Sequence, residues 1–425
     1  MKIDDLHKLF LSCNGVCTDT RTLTNNQLFF ALKGGNFNGN AYAKQAIEKG
    51  ASYAIIDEAE YEIKDRTILV DNVLACLQEL AKFHRLYLKT PIIAVTGSNG
   101  KTTTKELLHR VLLSKYNCYA TKGNLNNHIG VPLSLLDLTE EHEIAVIEMG
   151  ANHQGEIASY CTYALPDYGL ITNVGKAHLE GFGGIEGVIK GKTELYRFLA
   201  EKDGLVFYNA DDEVLTEKSE VFDKRFSYGQ SANVSFNYQV KEAGEFVTIQ
   251  IEDVWVQSQL IGSYNAVNLA SAAAIGQYFD VPIASIKFAL ENYQSTNNRS
   301  QLVTYGKNQV ILDAYNANPT SMRAALDDFF KHPAKKKGVF LGDMYEVGFS
   351  SDEEHQLLVE DLSQADIDFY VLVGDQFNKQ NNGQGLFFRT TDQARQWFQL
   401  RHFEEYLILV KGSRAMHMED ILKPL

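Results

Sequence analysis

Long hydrophobic runs are missing from these 425 residues. No uninterrupted apolar stretch approaches the roughly 20 residues that a membrane-crossing helix needs. The opening Met-Lys-Ile-Asp-Asp-Leu-His-Lys is too charged for a secretory signal. Cysteine is sparse and odd in number: Cys13, Cys17, Cys76, Cys118 and Cys161, with no C-x-x-C pair. That speaks against a disulfide framework and leaves Cys13-x-x-x-Cys17 without the second pair of a metal site. A reduced, cytoplasmic protein with structural thiols is expected. Basic excess is absent as well. Forty Lys and Arg against 54 Asp and Glu give a formal net charge of −14, which argues against nucleic-acid partners. It leaves a nucleotide ligand open, because a local cluster of N–H groups and lysine outweighs the global field. No internal repeat or low-complexity tract is visible, and the chain is expected to act as a monomer.

What is present begins with Pro91-Ile-Ile-Ala-Val-Thr96, an apolar run of strand character. A glycine-rich turn, Gly97-Ser-Asn-Gly100, follows, and then Lys101-Thr-Thr103 opens a segment with Leu107, Leu108, Val111 and Leu112 at helical spacing. Strand, glycine loop, Lys-Thr and helix together form a phosphate cradle. Glycines let backbone N–H groups approach an anion, and a helix N-terminus favours its charge. Lys101 is then placed to reach terminal phosphates and the Thr102 hydroxyl to hold Mg²⁺. The loop reads G-x-x-G-K-T, with Val95 where the general G-x-x-x-x-G-K-[ST] signature has its first glycine.

The length allows roughly two to four domains, and the pattern suggests three, at 1–89, 90–300 and 301–425. In the first, strand-like pieces lie around Thr18-Asp-Thr-Arg21, and helices are predicted over Ala41 to Gly50 and Asn72 to Leu88. From Pro91, buried strands at Ile92 to Thr96, Ile144 to Met149, Tyr168 to Thr172 and Leu205 to Tyr208 alternate with helices, predicting a doubly wound parallel sheet. Asn233 to Leu260 alternates with period two, predicting antiparallel strands with one wet face. After Arg299 a smaller Rossmann-like α/β unit is expected, with strands at Gln309 to Leu312, Gly338 to Leu341, Phe369 to Val373 and Tyr406 to Val410.

Ligands of open α/β sheets collect at the carboxyl ends of strands. Glu148 ends one such strand beside the phosphate loop, a natural Mg²⁺ ligand. His178 follows another in Thr172-Asn-Val-Gly-Lys-Ala-His178 and is read as a second metal contact. The loop Thr121-Lys-Gly-Asn-Leu-Asn-Asn-His128 offers Asn124, Asn126 and Asn127 as uncharged donors and acceptors. A helix is predicted from Ile185 to Leu199, carrying Lys190 and Lys192; periodicity singles out neither lysine.

T-G-S-N-G-K-T-T-T-K-E, G-N-L-N-N-H-I-G-V-P-L, E-M-G-A-N-x-x-G-E-I, N-V-G-x-A-H and Gly262-Ser-Tyr-Asn-Ala-Val-Asn268, in this order, resemble the ATP-dependent Mur ligase family. Leu312-Asp-Ala-Tyr-Asn-Ala-Asn-Pro319, Leu341-Gly-Asp-Met-Tyr-Glu-Val-Gly348 and Val410-Lys-Gly-Ser-Arg414 narrow the resemblance to the branch that adds D-alanyl-D-alanine to UDP-N-acetylmuramoyl-tripeptide. The Asp-Asn-Pro-Arg signature of the sibling that adds the third peptide residue is absent.

The resemblance implies a triphosphate loop over Thr96 and Gly97 to Thr103. It implies one Mg²⁺ on Thr102 and Glu148, and a second on His178, bridged by a carbamate formed from CO₂ on Lys192. Lys101, Lys192, His178 and Glu148 would then be the catalytic set. Lys192 is chosen over Lys190 by its spacing to Glu194. The resemblance also implies adenine contacts at Asn265 and Asn268, and phosphate and ribose contacts at Arg299 and Asp313. Substrate contacts are implied at Thr18, Asp19, Thr20 and Arg21 for the UDP-sugar, at Asn124, Asn126, Asn127, Asn316 and Asn318, and at Lys411, Ser413 and Arg414 for the dipeptide. Phe37-Asn-Gly-Asn40 stands where the family has Asp-Gly-His. The alternatives are another amide-forming ligase of this fold and a P-loop regulator that hydrolyses nucleotide without an amine.

Overall fold

The computed structural model describes residues 1–241, 244–295 and 299–424. Among the described residues three large sheets and one two-stranded ribbon, Lys33–Gly34 with Phe37–Asn38, are formed. The first has four parallel strands in the order Val16–Cys17, Leu28–Phe30, Tyr53–Ile56 and Thr67–Leu69. Asn72 accepts from the Ala75 N–H at 2.8 Å and so starts the helix Val73–Leu88. That helix ends on Lys89 in left-handed backbone just before Pro91. Its buried face (Leu77, Leu80, Ala81) shares one hydrophobic core with Val131, Leu135 and Tyr160 of the central part, so the first sheet is packed onto the second.

The central sheet has nine strands. Its parallel body runs Arg225–Gly229, Leu205–Asn209, Tyr168–Ile171, Ile92–Thr96, Ile144–Glu148, Cys118–Ala120. Phe236–Val240 extends it in parallel, and only then do Thr248–Ile251 and Val254–Gln257 turn antiparallel. Ile92–Thr96 is buried at every position because helices cover both faces. One expectation fails here. The helix predicted from Ile185 to Leu199 is two, Ile185–Lys192 and Glu194–Glu201. Thr193 bends its hydroxyl back to the Ile189 carbonyl at 2.8 Å. The Glu194 carboxylate meanwhile accepts from the Gly155 and Ala158 N–H groups at 2.7 and 2.9 Å, capping the helix Glu156–Ala164. A straight helix would point Glu194 elsewhere.

The third sheet runs Gln301–Tyr305, Asn308–Asp313, Leu407–Lys411, Lys337–Gly342, Phe369–Val373, Leu386–Phe388, parallel except for the first strand. Separate apolar clusters cover its two faces. Among the described residues no helix is long and apolar enough to cross a membrane. The five cysteines are free.

Candidate active site

The carboxyl end of Ile92–Thr96 opens into the phosphate loop. Gly97 has φ +142, and a Cβ there would stand 2.0 Å from the Thr172 hydroxyl oxygen; Gly100 has φ +78, and its Cβ would stand 2.5 Å from Asn268 Oδ1. Both positions therefore require glycine. The loop is pinned on all sides. Thr96 donates to the Met149 carbonyl (2.7 Å), Ser98 to that of Gly175 (3.0 Å), and the Asn99 N–H to Asn173 Oδ1 (3.0 Å).

A cavity of about 470 Å³ lies over this loop, between the central and third sheets. Ser98 to Thr103, Asn126, Asn127, Glu148, His178, Asn265 and Asn268 reach it from the central part; Arg299, Asp313, Asn316, Asn318 and Lys411 close it from the other side. Thr96 and Gly97 support the loop from beneath.

Lys101 is part-buried. Its ammonium folds back to donate to the carbonyls of Gly97 (2.8 Å) and Ser98 (3.2 Å). Burial, reinforced by Arg299 and opposed by Glu148, pushes it down to about 8. Beside it the Thr102 hydroxyl donates to Glu148 Oε1 (3.1 Å), which also accepts from Asn126 Nδ2 (2.7 Å). The second oxygen, Glu148 Oε2, is buried without a protein partner. A fully buried carboxylate oxygen left bare beside a hydroxyl and a phosphate loop is suited to a hard divalent cation, which takes a carboxylate plus phosphate oxygens and water. Among the described residues no three His, Cys, Asp or Glu side chains gather as a preformed metal set. Mg²⁺ shared with a phosphate is the chemistry these donors fit.

Lys192 is wholly buried and lies just behind the cavity wall. Its Nζ donates to the Ala151 carbonyl (3.0 Å) and sits 4.9 Å from the Phe182 ring centroid. Burial, with Lys101 adding to it, lowers its pKa far below that of a free lysine. Burial therefore favours release of the Lys192 proton, the direction a nucleophilic amine needs.

His178, expected as a metal contact, reaches the cavity but turns Nδ1 onto the Glu346 carboxylate, which is held below its usual range by that contact. Asn265 and Asn268 form a chain: Asn265 donates to the Ile261 carbonyl (2.7 Å), Asn268 to Asn265 (2.8 Å), and Asn268 accepts from Thr104 (3.1 Å). Arg299 lays its guanidinium 3.6 Å over the Tyr315 ring, with Nε buried and unpartnered. Asp313 pairs with buried Lys411 and accepts from the Ser300 N–H (3.2 Å). Asn318 caps the helix Pro319–Lys331 and donates to Asn99 Oδ1 (2.7 Å), tying the third sheet to the phosphate loop.

Other expected residues lie away from the cavity. Ser413 accepts from the Tyr345 N–H (3.0 Å), and exposed Arg414 pairs with Glu419 (2.8 Å). Asn124 is exposed in its loop. Thr18 to Arg21 form a separate turn in which Asp19 grips Arg21 at 2.6 Å. Glu346, Tyr315 and Asn173 are not singled out by the sequence, although each lies within one of the quoted motifs.

Phosphate loop, bare carboxylate oxygen and a cavity shared by two α/β sheets define a phosphate-handling P-loop enzyme. The chain belongs to the Mur ligase family: the catalytic domain of that family matches residues 12–85, the Mur ligase middle domain 95–276, and the Mur ligase glutamate ligase domain 298–414. It is 36% identical to the UDP-N-acetylmuramoyl-tripeptide–D-alanyl-D-alanine ligase of Bacillus subtilis (strain 168), over 97% of this chain and 93% of that protein. A crystal structure of MurF from Acinetobacter baumannii matches with a TM-score of 0.87 at 31% identity, covering 98% of this chain and 97% of that one. MurF ligase from Thermotoga maritima in complex with ADP matches at 0.86 and 25% identity, covering 97% of each chain.

Proposed function

We propose that this chain is an ATP-dependent amide-forming ligase. It joins D-alanyl-D-alanine to UDP-N-acetylmuramoyl-tripeptide, giving the pentapeptide precursor of peptidoglycan with ADP and phosphate. The observation that carries the reading is likeness to a ligase of that name over 97% of the chain, with a phosphate loop and a metal-ready carboxylate at its centre.

A carboxylate is a poor acyl donor. The terminal carboxylate of the tripeptide attacks the γ-phosphorus of ATP, the bond to ADP breaks, and an acyl phosphate forms. The free amine of the dipeptide then attacks the acyl carbon and expels inorganic phosphate, and the nitrogen loses a proton as the amide forms. Such a reaction asks the protein mainly for positioning and charge compensation. Lys101 swings from the Gly97 and Ser98 carbonyls to the phosphates, and loop N–H groups hold the oxygens. Mg²⁺, when bound by Thr102 and Glu148, offsets charge on the transferring phosphoryl group. Lys192 adds CO₂ through its neutral amine, releasing a proton and leaving a carbamate anion that would serve a second Mg²⁺ with His178.

Residues 90–300 bind the nucleotide in this reading. Residues 1–89 hold the UDP-sugar through Thr18 to Arg21, and 301–425 bring the dipeptide. The deciding experiment is ADP release from ATP with UDP-N-acetylmuramoyl-tripeptide, with and without D-alanyl-D-alanine. Release that requires the dipeptide is expected. Release indifferent to it favours a regulatory NTPase, and a requirement for a different amine favours another ligase of this fold.

A further inference from the structure

His178 and Glu346 are separated by 168 residues. One follows the strand Tyr168–Ile171, the other the strand Lys337–Gly342 of the third sheet. Their side chains meet, Nδ1 of the imidazole against Oε2 of the carboxylate. Both residues hold left-handed backbone, φ +52 and +62. That conformation is costly for anything but glycine and persists where the surroundings over-determine it, often at functional sites. Two further contacts clamp the same loops. The Glu180 N–H donates to the Glu346 carbonyl at 3.3 Å. Gly348, at φ +68, lies so close that a Cβ there would stand 3.2 Å from Glu180 Cα.

Glu346 is itself presented from a rigid base. The buried Asp343 carboxylate accepts from the Gln376 and Phe377 N–H groups, both at 2.9 Å. The Met344 N–H donates to His355 Nε2 and the Tyr345 N–H to Ser413 Oγ, each at 3.0 Å. Three consecutive residues leading to Glu346 are thus fixed by groups that never reach the cavity. The Leu341 to Gly348 motif has no other evident purpose in the site.

We propose that Glu346 is a positioning residue for His178. It accepts the Nδ1 proton and so fixes the ring orientation and the tautomer that leaves the Nε2 lone pair free, completing the phosphate-loop site only when the third sheet is docked. The inference rests on the ligase reading above. Its chemistry is general: an imidazole that must offer one nitrogen as a ligand donates its other N–H to a carboxylate, and loss of that partner typically costs 10- to 100-fold. A plain ion pair between sheets would ask for no particular tautomer. Nor would it call for left-handed backbone on both partners. The Lys176–Glu354 pair (2.5 Å) and the Asn318–Asn99 bond hold the same interface independently, so the variants tested should still dock.

The test uses Glu346→Ala and Glu346→Gln in the full chain. In ligand-free protein labelled with ¹⁵N-histidine, the His178 resonance, identified by its loss in His178→Gln, should report the Nδ1–H tautomer in wild type. It should report a mixture in Glu346→Ala and the wild-type form in Glu346→Gln, whose amide oxygen still accepts. Glu346→Ala should lower kcat 10- to 100-fold, with KM for ATP and for the tripeptide within about threefold; Glu346→Gln should recover most of it. An Ala variant with wild-type tautomer and kcat overturns the proposal. So does a Gln variant as slow as the Ala one with both melting early, which would mark a structural contact. Failure of the ligase reading looks different: wild type then shows no dipeptide-dependent ADP release, whatever its tautomer.

Discussion

At the scale of single residues, two lysines are held in opposite ways. Lys101 is an ammonium parked on two loop carbonyls, so removing it deletes two hydrogen bonds and also relieves a desolvated charge. These effects oppose each other, and Lys101→Ala should move the melting temperature by only a few degrees. Loss of its phosphate contact should lower turnover by about 100-fold or more. Turnover and melting measured on one preparation decide this, and near-wild-type turnover would remove Lys101 from the phosphate site. Lys192 is the reverse case, a lysine with a single carbonyl partner in full burial, which pushes it towards the neutral amine. Lys192→Arg restores a permanent cation that cannot add CO₂. Activity should collapse at every bicarbonate concentration, whereas wild type should gain activity as bicarbonate is raised. An unmodified Lys192 in crystals grown with CO₂, Mg²⁺ and ATP would refute the carbamate.

At the scale of elements, what was legible followed burial. Ile92–Thr96, Ile144–Glu148 and Phe369–Val373 are apolar nearly throughout because helices cover both faces, and they announce themselves. Cys118–Ala120 and Leu386–Phe388 are three-residue edge strands too short to show a period, and Arg225–Gly229 is half polar. These went unseen. The break at Thr193 was equally silent, since it serves a cap on another helix. The phosphate loop could be read because its parts are contiguous; the His178–Glu346 and Asn99–Asn318 pairs could not, because no local pattern encodes a partner 168 or 219 residues away. Another long-range pairing yields a pH prediction. In the helix Ile3–Leu11, His7 Nε2 lies 3.0 Å from His84 Nδ1 in Val73–Leu88, and His84 Nε2 lies 2.9 Å from the Leu138 carbonyl. The chain closes if both rings are neutral and each donates onward. Burial lowers both pKa values from 6.5; for His7, His84 adds to this and Asp4 opposes it. The unfolded chain then binds more protons than the folded one below pH 6.5, so stability must fall as the pH drops from there. His7→Gln keeps a donor and cannot titrate. Its melting temperature should lie at or below wild type at pH 7.5 and gain on it towards pH 5; a constant difference across that range would count against the pair.

At the scale of the whole molecule, the question is which part answers to which substrate. The turn at Thr18 to Arg21 lies in the first sheet's unit, which shares a core with the central part. Among the described residues, contacts between the third sheet and the central part include Asn318 with Asn99 and Lys176 with Glu354. A dipeptide delivered by the third sheet, as proposed above, would carry a free carboxylate and need a cation there. Lys411 is committed to Asp313 in the interior. Arg414 is the exposed cation of the same loop, its guanidinium 5.9 Å from the Tyr315 ring, whose near neighbour is Arg299 at 3.6 Å. Its present partner is Glu419, and an arginine fork suits a carboxylate in two parallel bonds. Arg414→Ala should therefore raise the KM for D-alanyl-D-alanine by about tenfold or more, the worth of a hydrogen bond to a charged group. KM for the UDP-linked tripeptide should stay within about twofold, because in the proposed reading that ligand is held by the first two parts. Initial-rate measurements with each substrate varied in turn separate the cases: equal weakening of both, or no effect on either, would take the dipeptide away from this loop.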